Sequence, residues 1–192
     1  MKREAARVGR YFELTDNMEI QGRWLLGKPM DAQGRRLDPW QFSRGRSVDV
    51  PRDMRLGLRV PGNPLDYSEA SFSIPVVSRR LMELLQRLGR EEVQFFPVRV
   101  ESQEEPCFVL NVTRLVDCID ESRCRTERWK PEDGAPERVG EYRLVEGLRI
   151  DPDKVRDARL FRTWGWPVLV VSEDIKEAME REGITGTRFT EV

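Results

Sequence analysis

Short apolar runs, each cut off by glycine, proline or aspartate, dominate this sequence and leave room for regular helices of any length at only two places. In the first 70 residues the runs are Tyr11-Phe12-Glu13-Leu14, Trp24-Leu25-Leu26 and Leu56-Gly57-Leu58-Arg59-Val60. Gly34, Asp38-Pro39 and Pro61-Gly62-Asn63-Pro64 separate them, residue types that supply turn dihedrals. This part reads as short strands and ordered loops. Further on, Val93 to Val100 and Cys107 to Val112 flank the polar insert Glu101 to Pro106, the pattern of an open antiparallel hairpin. Pro97 has no N–H to give a ladder, which suggests an edge or a bulge. Leu115 to Ile119 continues that strand or returns beside it. Tyr142 to Val145 and Leu148 to Ile150 read as strand pieces, and Val168 to Val171 as a buried strand. Asp120 to Arg128 is polar, and Trp129 to Pro136 is too rich in proline for regular structure.

The first helical place begins at Ser78, a residue able to cap, followed by Leu81, Leu84, Leu85 and Leu88 at helical spacing and by Gly89 at its expected end. Arg79, Arg80 and Arg87 fall on its polar face. The second opens with Ser172-Glu173-Asp174, acids at the positive end of the dipole, carries Ile175, Ala178 and Met179 as an apolar stripe, and stops at Gly183. Asp151-Pro152 starts a third, short helix holding Val155 and Ala158. Strands that arrive in runs, with two main helices, predict an α+β fold with a mostly antiparallel sheet and a loop-rich, strand-containing N-terminal part. No flexible linker divides the chain, so residues 1–192 read as a single domain, with 1–70 a possible subdomain packed on 71–192.

Composition narrows the chemistry. Apolar residues make up 39% and charged residues 35%, enough for a core under a charged surface. The formal net charge is -1, without the basic excess expected of a nucleic-acid binder. No stretch approaches the roughly 20 apolar residues of a membrane span, and the charges of Lys2, Arg3 and Arg7 precede no apolar leader core. A cytoplasmic protein with reduced thiols at Cys107, Cys118 and Cys124 is the expectation. Histidine is absent. That removes Ser-His-Asp and Cys-His nucleophiles, histidine-ligated metals and the usual general base. Carboxylate, tyrosine and lysine chemistry stays open, but the reading is that the chain is not an enzyme and carries no cofactor.

Other clusters have plainer explanations. Asp151, Asp153 and Asp157 suit a helix cap and solvated turns better than a metal, and Asp117, Asp120 and Glu121 lack the glycine and register of a calcium loop. Gly183-Ile184-Thr185-Gly186-Thr187 follows a helix where a phosphate cradle needs a strand, so it is set aside. The tryptophans Trp24, Trp40, Trp129, Trp164 and Trp166 sit mostly in polar sequence. Trp129-Lys130-Pro131-Glu132-Asp133 and Phe161-Arg162-Thr163-Trp164-Gly165-Trp166 mix aromatic and charged residues as interface hot spots do. Trp129, Trp164 and Trp166 are therefore candidate partner contacts, against the alternative that each ring pins a loop to the core.

Ordered blocks along the chain resemble a bacterial polymorphic-toxin immunity family, immunity family eleven of the myxobacterial type. They are Tyr11 to Asp16, Gly22-Arg23-Trp24 with Leu26-Gly27, and Asp38-Pro39-Trp40-Gln41-Phe42. Phe108 to Arg114, Val116 to Asp120, Leu148 to Pro152, Phe161 to Trp166 and Gly186 to Phe189 follow in order. The resemblance implies a cytosolic antidote that binds a cognate toxin domain, often a nuclease, encoded by a neighbouring gene. It implies no catalytic residues. Against a nuclease, an acidic face would enter a phosphate-binding cleft, with Glu101, Glu104, Glu105, Glu132 and Asp133 in predicted loops as candidates. The competing readings are a docking module of a secretion assembly and a carboxylate-based enzyme.

Overall fold

The computed structural model describes residues 9–88 and 92–192. Six strands form the larger sheet: β2 (Leu25–Met30), β3 (Met54–Val60), β4 (Tyr67–Ala70), β5 (Ile74–Ser78), β6 (Val93–Val100) and β7 (Cys107–Val112). Their order is β2-β3-β6-β7-β5-β4. The two edges meet, because the Ser71 N–H that follows β4 donates to the Gly27 carbonyl of β2 at 3.2 Å. The sheet therefore curls into a nearly closed barrel, which hides most of its own edges.

The smaller sheet has the order β13-β1-β12-β11-β8. It contains β1 (Tyr11–Asp16), β8 (Leu115–Val116), β11 (Leu160–Thr163), β12 (Leu169–Ser172) and β13 (Thr187–Glu191). A separate two-stranded ribbon pairs β9 (Arg125–Arg128) with β10 (Tyr142–Glu146).

Alternation along the strands divides the apolar residues between two faces. Leu26, Met54, Leu56, Ile74, Val76, Val98, Val100 and Val109 fill the barrel with Trp24 and Phe42. The other parity, Tyr67, Val77, Phe108, Leu110 and Val112, faces outward and packs with Phe12, Leu14, Leu160, Leu169 and Val171 of the smaller sheet. The helices α1 (Arg79–Leu88) and α3 (Glu173–Arg181) contribute Leu81, Leu84, Leu85, Ile175, Ala178 and Met179 to this same layer. On the far face of the smaller sheet, Val155 of α2 (Pro152–Val155) covers Tyr11, Phe161 and Val170.

The α+β expectation and the helix signals hold, except that the short third helix ends at Val155, before Ala158. The Ser78 hydroxyl accepts the Leu81 N–H at 3.2 Å, and the Asp151 carboxylate accepts the Asp153 N–H at 3.1 Å. Gly89, the expected end of α1, lies outside the described residues. The sheets are mostly antiparallel, with two exceptions: β3 pairs parallel to β6, and β8 parallel to β11. Leu115 and Val116 thus neither extend β7 nor return beside it; they cross to the smaller sheet. Pro97 lies in an interior strand, yet the ladder with β3 covers only Val98 to Val100, so the missing donor falls outside it. Residues of the first 70 enter both sheets, since β1 lies between β12 and β13 while β2 and β3 join β6.

The loop set aside as a phosphate cradle has a structural task. Gly186 (φ 89°) runs so close to β4 that an added Cβ would stand 2.0 Å from the Tyr67 carbonyl oxygen. Only glycine allows both that dihedral and that approach. Next to it, Thr185 O accepts the Tyr67 N–H at 2.9 Å, and the Asp66 carboxylate accepts the Thr185 N–H at 3.0 Å.

Candidate functional site

The sequence candidates fall into two separate places. Trp129, Glu132, Asp133, Trp164 and Trp166 gather around the β9–β10 ribbon. Glu101, Glu104 and Glu105 lie on the β6–β7 connection of the barrel.

The ribbon docks on the turn that follows β11. The Tyr142 N–H donates to the Gly165 carbonyl at 3.0 Å, and the Trp164 N–H donates to Val116 O at 2.8 Å. Gly165 has φ 75°, and a Cβ there would come within 3.0 Å of the Tyr142 ring. Tyr142 is buried, and its hydroxyl donates to Glu121 Oε1 at 2.8 Å. The Arg128 guanidinium donates to that hydroxyl at 2.8 Å, pairs with Glu121, lies 4.1 Å from the centre of the Tyr142 ring and 5.8 Å from that of Trp164. Hydrogen bonds from Arg128 and Tyr142 hold the Glu121 carboxyl below the usual carboxylate range.

Trp129 is half-buried where the chain leaves β9. Arg138 stands 4.6 Å and Arg143 5.3 Å from its ring centre, both in cation–π range. Its indole N–H is buried with no hydrogen-bond partner among the described residues. Asp133 is occupied: it accepts the Lys130 N–H at 2.8 Å and pairs with Arg143 at 3.4 Å. Glu132 is exposed and has no ion pair among the described residues. Trp164 and Trp166 are half-buried, whereas Phe161, Arg162 and Thr163, read with them as one interface mixture, are buried on β11.

On the barrel, Glu101 serves the structure, since Oε2 accepts the Leu58 N–H at 3.3 Å. Glu104 and Glu105 are exposed and unpaired among the described residues. Trp24 is core: it is buried in the barrel and its indole N–H donates to Ser68 Oγ at 2.8 Å.

Three acids converge inside the molecule. Asp16 pairs with Arg23 where both are buried, and also accepts the Glu69 N–H at 3.2 Å. Burial raises the carboxyls of both Glu13 and Glu69, reinforced at Glu13 by the charge of Glu69 and at Glu69 by that of Asp16. The wholly buried Tyr67 donates to Glu69 at 3.3 Å. The clefts lined by Trp24 and Glu101, by Trp40 and Phe72, and by Arg79 and Glu105 do not include these acids.

A surface the sequence candidates omitted lies on the barrel. A 3-10 turn, Pro39–Ser43, is capped by Asp38, whose Oδ1 accepts the Trp40 N–H at 3.0 Å. The turn sends Phe42 into the barrel and leaves Trp40 54% exposed. Phe72, 46% exposed, meets Trp40 edge-on at 5.4 Å, and the Lys28 ammonium stands 5.1 Å from the Phe72 ring centre. Pro29, Arg36 and Leu37 complete an open cleft of about 320 Å³. Phe72 and Ser73 both have positive φ, 68° and 52°, which no sequence pattern announces.

Half-buried tryptophan rings beside guanidinium groups at the ribbon, an exposed Trp40–Phe72 pair on the barrel and clefts open to solvent are the surface features that this fold builds. The chain belongs to the Immunity protein family (Imm11), whose family model matches residues 1–192, and immunity proteins neutralise toxins. None of the curated proteins matches it. No helix among the described residues is long and apolar enough to cross a membrane.

Proposed function

We propose that this chain neutralises one toxin domain, encoded by a neighbouring gene, by binding it one-to-one in the cytoplasm and obstructing its active site without catalysis. The match to the immunity family over residues 1–192 carries this reading. It draws support from Glu104, Glu105 and Glu132, acids that are exposed and carry no ion pair among the described residues. A nuclease suits the free acids Glu104, Glu105 and Glu132, since complementary charge steers association into a phosphate-binding cleft. Glu101 and Asp133 hold their own loops in place and are left out of that contact.

Titration of the purified toxin domain with this protein tests both parts. Toxin activity falls linearly to an endpoint at one equivalent, and Glu104→Lys with Glu105→Lys and Glu132→Lys slows association while flattening its salt dependence. Protection by a small fraction of an equivalent would overturn stoichiometric inhibition in favour of an enzyme. Unchanged kinetics in the charge-reversed protein would retire the acidic contact.

A further inference from the structure

We infer that Trp40 and Phe72, with Lys28 and Arg36, form the anchor of the partner interface, and that the occupant is a toxin segment presenting an apolar side chain beside a carboxylate. This inference rests on the toxin-binding reading above.

Three observations point there. The first is steric. Phe72 occupies a left-handed dihedral that L side chains rarely adopt and that glycine would occupy freely. A bulky ring held at such a position and turned half to solvent fills no core; Phe72 belongs to none of the buried clusters. The dihedral closes the turn between β4 and β5, which glycine would serve; a bulky ring kept there marks a surface with a task.

The second is the pairing of exposed rings. Among the described residues, the large apolar side chains with strong exposure are Met18, Trp40, Val60, Phe72, Leu115 and Val139, and of these Trp40 and Phe72 make an aromatic pair. The 3-10 turn fixes Trp40 by its cap and by the buried Phe42, so the ring is held ready and loses little freedom on binding. Tryptophan in a rigid setting is the residue type that most often dominates a protein interface.

The third is charge. Asp38, the acid of the cleft, is already engaged by the Trp40 N–H and by Arg44 at 3.7 Å. Lys28 and Arg36 have no carboxylate partner among the described residues. Two unpaired cations flanking two rings are complementary to an apolar side chain accompanied by a carboxylate. A basic or purely apolar segment would leave both cations unmatched.

The test uses the full chain and the toxin domain encoded beside it, carrying a substitution that disables its activity. Affinity is measured for the wild type, Trp40→Ala, Phe72→Gly, Lys28→Glu and, as a control exposed elsewhere on the barrel, Val60→Ala. Trp40→Ala and Phe72→Gly are expected to weaken binding by about thirtyfold or more, the range of a central hot spot. Lys28→Glu should weaken it about tenfold, and Val60→Ala should bind as the wild type does. Phe72→Gly keeps the test clean because glycine relieves the turn, so its melting temperature stays at or above that of the wild type.

If the wild type binds tightly and the platform variants bind equally well, the platform inference is wrong and the toxin-binding reading survives. If the wild type does not bind, that reading falls and the occupant argued here falls with it. A wild type that is dimeric, and made monomeric by Trp40→Ala, would instead assign the platform to a second copy of this chain and overturn the proposal.

Discussion

Glu69 shows how a single side chain can be held at a cost. Its carboxyl is raised chiefly by burial and further by Asp16, and is opposed by hydrogen bonds from Ser73 and Tyr67 and by the charge of Arg162. Glu13 faces it from β1. The folded protein therefore holds the Glu69 proton to a higher pH than the unfolded chain does, and stability falls as pH rises from the ordinary carboxyl value through the folded one. Glu69→Gln keeps the shape and removes the charge. We expect its urea midpoint to exceed that of the wild type at pH 7 and to converge on it near pH 4. A lower midpoint at pH 7 would show that the charged form is favoured where it sits. The cysteines add a second instance. Burial pushes the Cys107 thiol up to about 11 and the Cys118 thiol up to about 12, so both stay protonated and unreactive at neutral pH.

Among the elements, the β9–β10 ribbon depends on one dihedral. It reaches the rest of the molecule through Tyr142 on Gly165 and through Arg128 with Glu121. Gly165→Ala places a methyl group against the Tyr142 ring and asks alanine for φ 75°. The cost, about 1–2 kcal/mol, is roughly tenfold in local opening. Hydrogen exchange should speed by that factor in residues 125–128 and 142–146 while the barrel amides stay protected. Equal protection in both would mean that the ribbon is held elsewhere.

What the sequence made legible at this scale follows from its periodicities. Strand β6, its partner β7 and both main helices carry clear apolar patterns, and the structure has them at nearly the expected bounds. Strands β9 and β13 lack such a pattern because each leaves residues exposed on a polar surface. The crossing of Leu115 to the smaller sheet is set by a tertiary pairing that no local spacing encodes. The proposed binding surface was legible only in part. Tryptophan enrichment pointed to Trp129, Trp164 and Trp166, but Phe72 gives no signal until its dihedral is known, and nothing in the spacing separates the buried Trp24 from the exposed Trp40.

At the scale of the whole molecule, we propose that residues 1–192 unfold as one domain. Strand β1 pairs with β12 and β13, so the first 70 residues have no sheet of their own to fall back on. The layer between the sheets draws Tyr67, Leu84, Phe108 and Ile175 into one cluster. Thermal melts followed by far-ultraviolet and near-ultraviolet circular dichroism are expected to superimpose in a single transition. Two separated transitions, with the earlier one assigned to residues 1–70, would make that part a subdomain.

The position of β1 between β12 and β13 also sets a timetable. Phe12 pairs with Val171 on one side and with Glu191 on the other, partners made long after it in synthesis. At roughly 5–20 residues per second a ribosome needs on the order of ten seconds to travel that distance. Throughout that interval β1 waits with both of its edges open, and the smaller sheet exists only in pieces. A chain interrupted before β12 is made therefore lacks the smaller sheet, and the order and pace of translation set when the folded molecule first exists.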